Sequence, residues 1–315
     1  MVLIYDVHKS KKNMKRIFYF NITFICNNDC LFCFSHSTYY KKISKFSCDD
    51  IVQIINSYGI TSRDRVIING GEPTLCKELQ SILQVLNYYG VEVVLYSNGR
   101  LFCNKVFCES VLKYITRVVI PIHGSREVHE CITQKKGSFD ETVQGLENII
   151  QLGYADKIEL KFIVSQKMID ESFSISTFMD IYALKIENIV ISGQVETKVG
   201  MLYGFYRPNE IRLGAYVSKE IQQLLSEGHR LKLMDVELCC MEDSVKHKIL
   251  MLPEEKEDIQ YEYYYFDGSI KSGKLISYDA ERSCNNCEIK GLCRSIMHSC
   301  KVLYIDKEIR KIILE

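Results

Sequence analysis

Residues 17–33 read IFYFNITFICNNDCLFC, an apolar run from Ile17 to Ile25 that ends directly in Cys26, Cys30 and Cys33. The run has the length and composition of a strand, so the cysteines fall in the loop at its C-terminal end. Their spacing is C-x3-C-x2-C, which supplies three thiolates. A 4Fe-4S cube ordinarily takes four, and a loop of three leaves one iron for a ligand from elsewhere. Similar spacings also serve zinc, and the triplet by itself leaves that alternative open.

Farther along, the apolar stretch Arg65-Val66-Ile67-Ile68-Asn69 runs straight into Gly70-Gly71-Glu72-Pro73-Thr74. This is a strand ending in a tight turn. Two glycines let the backbone approach a ligand closely and leave main-chain groups facing it, as recognition of an amino-acid zwitterion requires. Glu72 offers an acceptor for an ammonium group.

Around these two loops the chain alternates short apolar segments with longer amphipathic ones, the pattern of parallel strands joined by crossover helices. Six strands are predicted: Ile17 to Ile25, Val66 to Ile68, Val91 to Tyr96, Val118 to Ile122, Ile158 to Val164 and Ile189 to Ile191. Helical patterns lie between them at Asp49 to Tyr58, Lys77 to Tyr89, Val106 to Tyr114 and Phe139 to Leu152. In parallel α/β folds ligands gather at the carboxyl ends of the strands. Both motifs sit on that edge, as do Ser97-Asn98-Gly99 and His123-Gly124-Ser125.

The cysteine loop, with Phe32 directly before its last cysteine, followed by the GGEPT turn, resembles the radical S-adenosylmethionine (radical SAM) superfamily. The resemblance implies a partial (β/α)6 barrel and a 4Fe-4S cluster on Cys26, Cys30 and Cys33 whose open iron is chelated by S-adenosylmethionine (SAM). It also implies reductive cleavage of SAM to a 5'-deoxyadenosyl radical, with the organic chemistry belonging to the cofactor. By the same resemblance Phe32, Gly70, Gly71, Glu72, Ser97 and Asn98 face the cofactor, and Lys161 on the fifth strand pairs with the SAM carboxylate. His36, Tyr96, His123 and Glu196 are polar or aromatic residues to which the sequence gives no proton-transfer role.

Composition narrows the remaining classes. The 315-residue chain has 47% hydrophobic and 25% charged residues, ordinary globular usage. Lys+Arg and Asp+Glu stand at 40 each, so no global basic field attracts nucleic acid. No apolar run is long enough for a signal peptide or a membrane span, which predicts a cytoplasmic protein. Its 14 cysteines are then better used as metal ligands than as disulfides.

Composition changes after the sixth strand. The expected organisation is an N-terminal arm over 1–15, the barrel over 16–200, a linker and helix over 201–230, and a small domain over 231–315. That domain holds Cys239-Cys240 and then Cys284, Cys287, Cys293 and Cys300, with a hairpin at Tyr261 to Phe266 followed by Asp267-Gly268-Ser269. The C-x2-C-x5-C run resembles the SPASM and twitch extensions, which carry auxiliary 4Fe-4S clusters. One auxiliary cluster is expected, on Cys239, Cys284, Cys287 and Cys293, with Cys240 and Cys300 as substitutes and structural zinc as the alternative. The chain departs from the full pattern in its adjacent Cys239-Cys240 and in Arg294-Ser295-Ile296 after Cys293.

The segment KGSFDETVQGLENI, together with CNNDC, GGEPTL and SNGR, is most similar to the C-type radical SAM maturases of the His-Xaa-Ser system, which act on ribosomally made peptides. This implies a peptide substrate, an electron donor such as flavodoxin or ferredoxin, and a separate leader-binding partner, since fifteen residues before the barrel are too few for such a module. A nucleoside, sugar or other small metabolite is the alternative substrate, and a non-catalytic metal-binding scaffold the alternative of another class.

Overall fold

The computed structural model describes residues 15–33, 47–194 and 208–250, and the strands over 259–264, 270–272 and 303–305. The elements run β1 (Lys15–Thr23), α1 (Cys48–Tyr58), β2 (Arg65–Gly70), α2 (Leu79–Tyr88), β3 (Glu92–Tyr96), α3 (Lys105–Leu112), β4 (Arg117–Ile122), α4 (Arg126–Thr133), α5 (Ser138–Gln151) and β5 (Ile158–Ile163). There follow α6 (Gln166–Asp170), α7 (Ile175–Ile181), β6 (Asn188–Ser192), α8 (Glu210–Glu227), β7 (Arg230–Met234), α9 (Asp243–Leu250), β8 (Ile259–Tyr264), β9 (Ile270–Ser272) and β10 (Leu303–Ile305).

One sheet takes all of these strands in the order β10-β7-β6-β5-β4-β3-β2-β1-β8-β9. From β1 to β7 every neighbouring pair is parallel, as the strand–helix alternation requires. The fold is the α/β partial barrel expected, and each of the six predicted strands lies within two residues of its observed bounds. Two features differ. Arg230–Met234 pairs in parallel with β6, so the parallel run has seven strands where six were expected. The hairpin partners β8 and β9 pair antiparallel as predicted, but β8 also lies parallel against β1, extending the sheet on its far side.

Helix ends follow their local chemistry. Ser47 caps α1 reciprocally with Asp50, and Gly59 closes it in the left-handed region. On α5 the residues Phe139, Val143, Leu146 and Ile149 recur every three or four positions and are buried against the sheet. Each such side chain contributes roughly 1.5–3 kcal/mol by leaving water. Most of the core lies on this outer, helix-covered face.

The inner face is divided. Over β1 to β4 it is lined by Ile17, Ile67, Val94 and Val119 with Tyr19 and Tyr96. Over β5 to β7 the same register carries Glu159, Lys161 and Lys232. Glu159, 4% exposed, joins Arg117 at 2.9 Å and Lys232 at 3.2 Å. Lys232 and Arg117 outweigh the burial that would raise its carboxyl, and hold it below the usual range. No helix among the described residues is long and apolar enough to cross a membrane.

Candidate functional site

The cysteine loop leaves the C-terminal end of β1 and is docked from three directions. Asp29 N–H donates to Thr133 O at 2.9 Å and Leu31 N–H to Ile132 O at 3.0 Å, so the loop borrows the free carbonyls at the end of α4. Asn98 Nδ2 donates to Asn27 Oδ1 at 2.6 Å. Arg100 Nη1 donates to Asn27 O at 2.5 Å and Asn28 Oδ1 at 2.8 Å. Cys26 is exposed, and Cys30 and Cys33 are half-buried. Burial raises Cys26 and Cys30, and the neighbouring thiols raise both further. Thiols gathered in this way keep their protons until a cationic centre displaces them.

Whether the three fit one ion or a cluster can be judged from their spread. Two sulfurs on one tetrahedral zinc, each about 2.3 Å from the metal, sit about 3.8 Å apart. Among the described residues the group whose three ligand atoms lie within 4.8 Å of one another is Glu237, Cys239 and Cys240, and the loop thiols form no such group. Their wider spread suits a cube, which takes each thiolate on a different iron.

The glycine turn follows β2 and packs against the same loop. Gly71 N–H donates to Thr23 O at 2.7 Å and Glu72 N–H to Ile25 O at 2.8 Å. A Cβ on Gly71 would stand 2.5 Å from Ile25 O, and one on Gly70, at φ +132, 2.2 Å from Thr23 O. Both glycines are therefore required by the close approach of the turn to the residues leading into Cys26.

Glu72 is placed otherwise than an ammonium acceptor would be. It is 1% exposed. Its Oε1 accepts from Thr74 N–H at 3.0 Å, Thr74 Oγ1 at 2.6 Å and Ser97 Oγ at 2.8 Å, while Oε2 accepts from Asn98 N–H at 2.7 Å. Burial pushes its carboxyl up and these four donors oppose the shift. The carboxylate is a brace between the glycine turn and the Ser97-Asn98 turn. Three residues before it, Asn69 at the end of β2 keeps a buried Oδ1 without a partner. Neither motif reading singled out Asn69 for its side chain; its position on the inward register, two residues beyond Ile67, is the signal that finds it.

Ser97 and Asn98 are thus brought to the cysteine loop, and Phe32 meets His123 edge-on at 5.2 Å. His123 sits at the end of β4, 3% exposed, and its N–H donates to His129 Nδ1 at 3.3 Å. Its own Nδ1 is buried and unpartnered. Burial, then the charges of His129 and Lys161, depress its imidazole well below the ordinary value. Lys161 points from β5 into the same space, half-buried, with no hydrogen bond or ion pair to another described residue. Burial lowers its ammonium pKa, and Asp235 works against that shift.

Cys239 and Cys240 lie beyond β7 in a short helical turn over Leu238–Cys240, their sulfurs 3.8 Å apart, with Glu237 Oε2 3.7 Å from Cys240. Burial and the Cys239 thiol beside it push Cys240 up to about 12. The sulfur separation equals that of two ligands on one zinc. Cys284, Cys287, Cys293 and Cys300, expected as their partners, lie outside the described residues, as do His36 and Glu196.

Known proteins are similar to this chain in sequence and in fold. The family model described as the Radical SAM superfamily matches residues 20–165. Fe-coproporphyrin III synthase of Methanosarcina barkeri is 24% identical over 156 residues, 50% of this chain and 39% of that protein. Mycofactocin maturase MftC of Mycolicibacterium smegmatis is 27% identical over 153 residues, 48% of this chain and 38% of that protein. The chain therefore spans less than half the length of these curated relatives. Among solved structures, native anSMEcpe with bound AdoMet superposes with a TM-score of 0.64 at 12% identity, covering 95% of each chain. Streptococcus suis SuiB bound to precursor peptide SuiA gives 0.57 at 15% identity, over 83% of this chain and 60% of that one. These structural likenesses show the fold. The family match spans the cysteine loop, both bracing turns and the strands from β2 to β5, so residues 20–165 carry a domain that matches the radical SAM superfamily.

Proposed function

We propose that the protein is a radical SAM enzyme that acts on a ribosomally made peptide. Cys26, Cys30 and Cys33 would hold a 4Fe-4S cluster, and SAM would lie against the glycine turn, its ammonium group toward Asn69 and the turn carbonyls and its carboxylate toward Lys161. When bound, that cluster supplies the electron that cleaves SAM to a 5'-deoxyadenosyl radical for hydrogen abstraction.

The observation that carries this reading is the loop of three thiols docked at the C-terminal end of β1 against the glycine turn and the end of α4. The protein's own part is binding and orientation. Glu72 fixes the two turns to each other, α4 and Asn98 fix the loop, and the apolar inner face over β1 to β4 keeps water from the reacting centre.

The peptide class rests on the likeness to a mycofactocin maturase and to SuiB bound to its precursor peptide. It includes the closer resemblance to His-Xaa-Ser maturases, a separate leader-binding partner, a flavodoxin or ferredoxin as donor, and a second 4Fe-4S cluster on Cys239, Cys284, Cys287 and Cys293 in a C-terminal unit. A small-molecule substrate is the second reading, favoured by the likeness to Fe-coproporphyrin III synthase.

The test is anaerobic reconstitution with iron and sulfide, metal counting, and an assay for 5'-deoxyadenosine after SAM and dithionite are added. About eight irons, two cubes, with 5'-deoxyadenosine release support the full proposal. About four irons with one zinc keep the enzyme and replace the second cluster. Zinc without SAM cleavage removes the enzyme reading. A precursor peptide that raises 5'-deoxyadenosine release and changes mass supports the peptide class.

A further inference from the structure

Arg100 follows the Ser97-Asn98-Gly99 turn and is 13% exposed. Its Nε donates to Glu141 Oε2 on α5 at 2.6 Å, which anchors the guanidinium from behind. Its backbone N–H donates to Asn98 Oδ1 at 3.1 Å, the same side chain that reaches Asn27. Its Nη1 reaches forward to Asn27 O and Asn28 Oδ1, the two residues that directly follow Cys26. Three acceptors from two segments, Glu141 on α5 and Asn27 and Asn28 on the cysteine loop, thus converge on one planar cation, and a guanidinium can serve such a fork where an ammonium cannot.

The loop does not depend on Arg100 for its docking. Asp29 and Leu31 are held by the α4 carbonyls, and Asn27 is held a second time by Asn98. What Arg100 adds to those ties is charge, delivered at a fixed place beside the first cysteine.

We propose that Arg100 is a positioning residue that fixes a positive charge beside the cluster loop and thereby makes the cluster easier to reduce. This rests on the cluster reading given above. A cube on three thiolates is anionic, and the incoming electron makes it more so. A guanidinium held at the loop in a partly buried setting stabilises the reduced form more than the oxidised one. The electron itself comes from a low-potential one-electron donor, and no bond to Arg100 forms or breaks.

The experiment is an anaerobic redox titration followed by electron paramagnetic resonance on the reconstituted wild type, R100Q, R100K and E141Q, with iron counted on each. R100Q is expected to load its cluster and to need a potential lower by about one decade in the reduction equilibrium, ~59 mV for one electron. R100K, which keeps the charge and loses the fork, is expected to recover most of that shift. E141Q, which frees the guanidinium from behind, is expected to fall between wild type and R100Q and tests the fixed placement without removing the charge. R100Q with full iron and an unchanged potential overturns the proposal and leaves the enzyme reading intact, and so does R100K shifted as far as R100Q. A wild type that takes up no cluster overturns both.

Discussion

Ser97 Oγ donates to Glu72 Oε1 at 2.8 Å, joining the turn after β3 to the turn after β2 through a carboxylate with almost no exposure. The bond is one of four on Glu72, so the two turns behave as one piece. A buried charged acceptor with four donors is costly to delete because every donor is left without a partner. Glu72→Ala is expected to lose about 3 kcal/mol in urea unfolding of the cluster-free protein, and Glu72→Gln roughly half of that. An alanine variant with wild-type stability would mean that the turns are held elsewhere.

Gly145 presents a case where intrinsic preference and packing oppose each other. Alanine is worth about 1 kcal/mol more than glycine inside a helix. A Cβ at this position on α5, however, would stand 2.4 Å from Gly99 O. Backbone cannot yield as a side-chain tip can, so Gly145→Ala is expected to destabilise by about 2 kcal/mol and to displace Arg100 with its turn. Gly71→Ala meets Ile25 O and Phe24 in the same manner and is expected to abolish SAM binding in equilibrium dialysis.

His129 sets a pH response. Burial, and then the Arg100 charge, push its imidazole down to about 4, while an unfolded histidine titrates near 6.5. The native state is the less protonated one between those values, so stability is complete above about pH 6.5 and falls as pH drops toward 4. The loss accrues at up to about 1.4 kcal/mol per unit. His129→Asn, whose Oδ1 can take the His123 N–H in place of Nδ1, is expected to show a shallower decline in melting temperature over that window. An unchanged slope would assign the decline to other groups.

The inner-face ion group responds in a lower window. Glu159 is held below the usual carboxylate range, so its contribution is present above about pH 4.3 and disappears as pH falls through its own lowered value. Glu159→Gln is expected to be about 3 kcal/mol less stable than wild type at pH 7, because Arg117 and Lys232 lose their shared partner. The two proteins should converge in acid, and a gap that persists at pH 2 would point to packing as its source.

Much of the architecture was legible because its signals are local. Apolar runs of strand length, separated by helices of period 3.6, located β1 to β6, and the cysteine spacing located the loop without any knowledge of its neighbours. What escaped is long-range. Arg100 lies 73 residues from Asn27, and nothing in either segment announces the bond between them. Glu72 was legible as a residue of the site but not in its orientation, since a carboxylate in a turn looks the same whether it faces a ligand or two neighbouring backbones. Arg230–Met234 carries charge at alternate positions because its inner face lines the polar side of the barrel, and that pattern disguised it as the start of something else.

β1 has a neighbour on each side, β2 from residues 65–70 and β8 from residues 259–264. The second of these is made long after the first. At ribosomal rates of about 5–20 residues per second, the interval between β1 and β8 is on the order of 10–50 s. Throughout it, one flank of β1 displays unpaired backbone groups, the condition under which chains pair with one another instead of with themselves. The strand that presents the cysteines is therefore synthesised long before its second flank is covered, and chaperone supply during translation bears on the cysteine loop before any metal arrives.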